Sequence, residues 1–212
     1  MRILLIILFL LLSSVRAQEA TIEFKMPIER PYDLDADVAR LKTEKLYFRD
    51  LEEIDKIAFP AIYFSINDSI INGSILTKRE VAKVVETIAM FESSSSTRKG
   101  TMPFKSSLFI KSNNAFGIKG KGHVTKTAEY VNGERMVIVS SFKKYDSFDE
   151  SINDLLSLLV RRYHLKEAKT SKEVFHTMKR KGYFTAPITY MYSLIRTNKR
   201  LNKYKNFKDD NI

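Results

Sequence analysis

Glu92 stands at the end of an apolar run, and a carboxyl in that setting is suited to proton transfer. The stretch Thr77 to Ser96 reads T-K-R-E-V-A-K-V-V-E-T-I-A-M-F-E-S-S-S-S. Val81, Val84, Val85, Ile88 and Ala89 recur at i, i+3, i+4 spacing, and one further turn lands on Glu92. The C-terminal end of a helix dipole disfavours negative charge, and so does desolvation, so both raise the pKa. A carboxyl still protonated near neutral pH is what a general acid needs. The competing reading is a helix that ends near Glu92 and releases the side chain into water. Two further carboxylates, Glu129 and Glu134, fall on a predicted hairpin, where they could line a cleft or simply face solvent.

The elements that must hold these groups are legible in part. Thr77 with Glu80 is a capping box that opens the helix leading to Glu92. Asn132-Gly133 is the favoured two-residue hairpin turn within Val124–Phe142. It sets Val131 opposite Glu134 and Glu129 opposite Met136, all four on one face. Ser147/Glu150 and Thr170/Glu173 repeat the capping pattern ahead of helices that bury Ile152, Leu155, Leu156 and Leu159, then Val174, Phe175 and Met178. Gly182 should end the second of these, and Pro187 should start a last helix through Ile188, Met191, Tyr192 and Ile195. Upstream, Pro60 is expected to open a helix carrying Ile62, Tyr63, Ile66 and Ile70, with Gly73 as its stop. Residues 93–105 read as a Ser-rich loop, with a short helix expected near Ser106 to Ile110. Of the seven glycines, three fall within Gly117 to Gly122, so the backbone there bends tightly or passes close to something. A phosphate loop is a weak alternative, since the Gly-Lys-Ser/Thr ending is missing. Helices, one hairpin, then more helices make an α+β fold, a helical body with a small β lobe.

Composition narrows the class. A chain of 212 residues, 44% hydrophobic, builds one real core. It has no Cys, hence no disulfide framework. His123, His164 and His176 are too far apart for a zinc spacing, so neither metal nor cofactor is expected. Met1 to Ala17 reads as a secretory signal: Arg2, then an apolar Ile3–Leu12 too short to span a bilayer, then Val15-Arg16-Ala17 at the cleavage position. The organisation expected is a signal over 1–17, a polar arm over 18–50 with a short helix from Asp35 to Lys42, a helical lead-in over 51–75, a main domain over 76–200 and a polar tail over 201–212. The formal charge of +11 suits an anionic wall or membrane surface, or DNA. The export signal opposes a nucleic-acid partner.

In order along the chain, Phe91-Glu92-Ser93, Asn113-Asn114-Ala115-Phe116-Gly117-Ile118-Lys119-Gly120, Ala128-Glu129-Tyr130, Phe142-x-x-Tyr145 and Gly182-Tyr183-x-Thr185-x-Pro187-x-x-Tyr190 form a pattern. It resembles the glucosaminidase-type peptidoglycan hydrolases, glycoside hydrolase family 73, over about Leu76 to Arg200. The resemblance implies a lysozyme-like α+β fold and cleavage of β-1,4 bonds after N-acetylglucosamine in peptidoglycan, the implied partner. It also implies Glu92 as general acid, Glu129 as the second carboxylate with Glu134 as fallback, and Asn114, Phe116, Tyr183 and Tyr190 as substrate-binding residues. The chain departs from the family pattern in two places. Ser94-Ser95-Ser96 replaces Gly-Trp-Gly in a chain with no Trp, and Ala186 replaces an Asp before Pro187.

Overall fold

The computed structural model describes residues 33–131 and 134–204. The signal-like start, the first part of the polar arm (18–32), the Asn132-Gly133 turn and the end of the tail lie outside the described residues. The elements run α1 (Leu34–Thr43), α2 (Leu51–Ser65), α3 (Asp68–Ile71), α4 (Lys78–Glu92), β1 (Ser95–Thr97), β2 (Gly100–Met102), α5 (Ser107–Ser112), β3 (Gly122–Val131), β4 (Glu134–Lys143), α6 (Phe148–Tyr163), α7 (Ser171–Arg180) and α8 (Ile188–Leu201). Both sheets are two-stranded antiparallel ribbons. The architecture is α+β.

Helix α4 is the centre of the body. Its capping box forms as expected: the Thr77 hydroxyl accepts from the Glu80 N–H, and the Glu80 carboxylate accepts from the Thr77 N–H. Every residue from Val81 to Met90 is buried, so α4 is enclosed all round and not only along the expected stripe. Helices α2, α7 and α8 pack against it. On α8 the inward side is Met191, Leu194, Asn198 and Leu201, while Ile188 and Tyr192 are exposed, which rotates the expected stripe.

Helix α2 corrects another expectation. Pro60 lies inside the helix and does not open it. Proline in a helix interior costs about 3 kcal/mol. Here Ile54, Ile57, Ala58, Ala61 and Ile62 form a buried stripe on both sides of it, and that burial outweighs the lost hydrogen bond. The chain leaves α2 at Ser65, and Asn67 caps the short α3.

The larger ribbon pairs Glu129 with Met136 and Val131 with Glu134, the register a two-residue turn requires. Its base is fastened to α6, where Lys143 Nζ and Tyr145 Oη both donate to Asp154 Oδ2, at 2.7 and 2.6 Å. Near its far end Tyr130 N donates to Thr185 Oγ1 at 3.2 Å, joining the ribbon to the loop ahead of α8. The smaller ribbon, β1–β2, occupies what reads in sequence as a Ser-rich loop.

Candidate active site

Glu92 is the last residue of α4 and is partly exposed. Burial of the preceding turns fixes where its Cα sits. What comes next is fixed by Ser93, which is fully buried. Its hydroxyl donates to Ala89 O at 2.5 Å and accepts from Phe104 N at 3.1 Å, while its carbonyl accepts from the N–H groups of Lys105 and Ser106. One serine thus caps the helix and folds the returning chain against it. This role was not visible in the sequence beyond the Glu-Ser pair itself.

Two partners reach the Glu92 carboxyl. Tyr190, in the first turn of α8, donates its hydroxyl to Oε1 at 2.6 Å. On the other oxygen the backbone of Gly117 comes close: a Cβ there would stand 3.6 Å from Oε2. Gly117 has φ +64°, so its backbone conformation favours glycine. The surroundings push the Glu92 pKa from 4.5 up to about 7, burial raising it and the Tyr190 hydrogen bond partly offsetting that. Burial and the neighbouring Glu92 charge together hold the Tyr190 phenol protonated, well above its ordinary range.

The Asn-Asn-x-Phe-Gly-Ile block is the cradle of this site and not its contact surface. Asn114 is buried, and its amide donates to Ile118 O and Lys143 O while its Oδ1 accepts from Phe116 N and Ile118 N. Those four bonds saturate it, so the expected substrate contact by Asn114 is corrected to a scaffold role. Phe116 is corrected likewise: its ring is buried and stacks on Phe148, with centroids 6.3 Å apart. Asn113, at φ +52°, donates to Tyr145 O and Asp146 O and accepts from Lys42 Nζ. Tyr183 donates its hydroxyl to Phe116 O at 3.0 Å, which links the loop after α7 to the cradle.

Glu129 lies on β3 with its side chain 21% exposed, ion-paired to Lys119 Nζ at 2.6 Å. Glu134 is exposed. Among the described residues no cluster of His, Cys, Asp or Glu could hold a metal ion. The structure therefore gathers Glu92, Tyr190, Tyr183 and Gly117 at one place, places Asn114 and Phe116 beneath it, and sets Glu129 on the adjoining ribbon.

A helical body with small antiparallel ribbons set beside it places the chain in the lysozyme-like α+β class. The catalytic domain of the autolysin Auto from Listeria monocytogenes shares the fold, with a TM-score of 0.50 at 23% identity over 82% of this chain and 94% of that one. The family described as mannosyl-glycoprotein endo-beta-N-acetylglucosaminidase matches residues 78–203, and the chain belongs to it. It is similar to the exo-glucosaminidase LytG of Bacillus subtilis, 38% identical over a 94-residue alignment that covers 39% of this chain and 33% of that protein. It is also similar to the peptidoglycan hydrolase FlgJ of Vibrio cholerae, 34% identical over a 107-residue alignment that covers 46% of this chain and 32% of that protein. The chain thus spans only about a third of either relative's length.

Proposed function

We propose that the protein is a hydrolase of peptidoglycan that cleaves β-1,4 glycosidic bonds after N-acetylglucosamine, with Glu92 as general acid. The observation that carries this is the Glu92 carboxyl itself, raised to about 7 at the end of the buried α4 and held by Tyr190. Membership of the glucosaminidase family supports it, as do relatives named as a glucosaminidase and a peptidoglycan hydrolase. In this reading Glu92 gives its proton to the leaving glycosidic oxygen as the sugar takes on oxocarbenium character. Tyr190 keeps Oε1 engaged, which leaves Oε2 to present the proton. Glu129, held by Lys119 on the ribbon, supplies negative charge that orients water or steadies the developing cation. Attack by the substrate's own N-acetyl group would make Glu129 matter less. Tyr183 borders the site and completes its aromatic wall.

The glycan is the partner, and the net charge of +11 favours approach to an anionic wall or membrane surface. No nucleic-acid partner is assigned. The signal-like Met1–Ala17 supports export to a periplasm or beyond.

The test is incubation of the purified protein with sacculi and identification of the new reducing end after borohydride reduction. Reduced N-acetylglucosamine ends released by wild type and lost in Glu92→Gln are the expected result. Release undiminished in Glu92→Gln would refute the role of Glu92. A second reading, a glycan-binding protein without cleavage, is favoured by Ser94–Ser96 standing where the family pattern has Gly-Trp-Gly. Sacculus binding by wild type with no new reducing ends would establish that reading.

A further inference from the structure

The family match begins at residue 78, yet the surroundings of Glu92 draw on residues well before it. Between α1 and α2 the chain makes a tight turn, in which Asp50 Oδ2 accepts from Tyr47 N at 2.9 Å and Tyr47 O accepts from Asp50 N at 2.7 Å. From this turn Phe48 N donates to Thr101 O on β2 at 3.1 Å. The Tyr47 ring lies over Gly100, where a Cβ would come within 3.4 Å of it, and Gly100 has φ +132°. Lys105 Nζ donating to Leu41 O, and Lys42 Nζ donating to Asn113 Oδ1, fasten the same segment on either side.

The Phe48 ring then meets Phe91 edge-to-face, with centroids 4.9 Å apart. Phe91 meets Tyr190 in the same way at 5.5 Å, and Phe184 holds the other flank of Tyr190 at 5.3 Å. Edge-to-face rings constrain one another's orientation as well as burying area. An unbroken aromatic series therefore runs from the lead-in, through the residue next to Glu92, to the phenol that binds Glu92.

We propose that Phe48 is a positioning residue of the acid site, which fixes the Phe91–Tyr190–Glu92 arrangement and shields the carboxyl from water on the side of β1–β2. This rests on the assignment of Glu92 as the acid. The chain following Glu92 offers only Ser94, Ser95, Ser96 and Thr97 on that side, and the sequence has no Trp to cover it. Phe48 is brought there by a backbone hydrogen bond to the very ribbon that replaces the absent bulk. It acts through Phe91, so its effect should appear in the protonation and orientation of Glu92 and not in substrate affinity.

The experiment compares wild type with Phe48→Ala and Phe48→Leu in the full chain. The readings are kcat and KM against pH on sacculi, and the carboxyl 13C titration of Glu92, assigned by its absence in Glu92→Gln. Phe48→Ala is expected to lower kcat about tenfold while KM holds within about twofold, as for a misplaced catalytic group. With Tyr190 still held by Phe184, added water favours the charged carboxylate, so the basic limb of the rate profile and the 13C midpoint both move to lower pH. Phe48→Leu keeps apolar cover without the ring edge and should move both less, in the same direction. An unmoved midpoint in folded Phe48→Ala overturns the proposal. Should Phe48→Ala fail to fold, a downward midpoint in Phe48→Leu supports it and an unmoved one overturns it. The titration needs no turnover, so it tests Phe48 even if wild type cleaves nothing.

Discussion

Helix α4 carries three carboxylates, and beyond the Glu80 of its capping box the remaining two, Glu86 and Glu92, are put to different uses by their neighbours. Glu86 is sealed in the core with Lys83 and Asp55, all three at most 1% exposed. Lys83 Nζ bonds Asp55 Oδ1 and lies 3.2 Å from Glu86 Oε2, with the Phe59 ring 3.9 Å away. Asn198 on α8 donates to Lys83 O and Thr87 Oγ1, closing the cluster from the other side. Glu92 has no ion pair among the described residues; its hydroxyl partner is Tyr190 at the surface end of the helix. Burial raises both pKa values, and at Glu86 the Lys83 charge opposes the rise. A raised pKa alone therefore does not mark the acid. Of these two carboxyls only Glu92, at the helix end, is partly exposed, which is the access the proposed proton transfer needs.

The comparison breaks most sharply by substitution. Glu92→Gln should reduce turnover by about 10²–10⁴-fold, the usual contribution of a general acid, with no loss of melting temperature. A drop in melting temperature that accounts for the lost rate would make Glu92 structural, like Glu86. Lys83→Met should do the reverse. Leaving Glu86 buried without the Lys83 ammonium is expected to cost about 3–5 kcal/mol of stability in denaturant titrations. The protein that remains folded should keep its rate profile. Tyr190→Phe is smaller: about tenfold in kcat, the equivalent of one hydrogen bond near 1.4 kcal/mol. Because that bond favours the charged carboxylate, its loss moves the basic limb to higher pH, opposite in direction to Phe48→Ala.

The smallest effect is on stability against pH. A carboxyl whose folded pKa lies above its unfolded one contributes fully below the unfolded value and less as pH rises through the folded value. For Glu92 that window runs from about 4.5 to about 7. Glu92→Gln should therefore gain stability relative to wild type across that window, as read by melting temperature at stepped pH. A constant difference would mean Glu92 titrates alike in both states.

What the sequence disclosed, and what it hid, follows from the range of the interactions involved. The capping box at Thr77, the Ser147 N-cap, the ribbon register around Asn132-Gly133 and the place of Glu92 at the end of α4 all rest on contacts a few residues apart, or on periodicity, so they were readable. The α2 helix running through Pro60 was not, because a local penalty was overruled by burial that only the packed body supplies. The β1–β2 ribbon was hidden because Ser95, Ser96 and Thr97 show no apolar alternation; β1 is held by its pairing with β2, and β2 in turn by the Phe48 N–H at Thr101 O. Asn114 and Phe116 were matched by motif to the substrate, but a motif does not reveal which way a side chain faces, and both face inward. The Lys83 cluster was not legible because nothing local shows that α8 covers it with Asn198.

The most direct measurement is the 13C titration of the Glu92 carboxyl in the wild-type protein. The account predicts a midpoint near 7, displaced upward by burial and shared with the rate profile's basic limb. A midpoint near 4.5 would mean that Glu92 is an ordinary solvated carboxylate, charged at neutral pH, and would contradict its role as the proton donor.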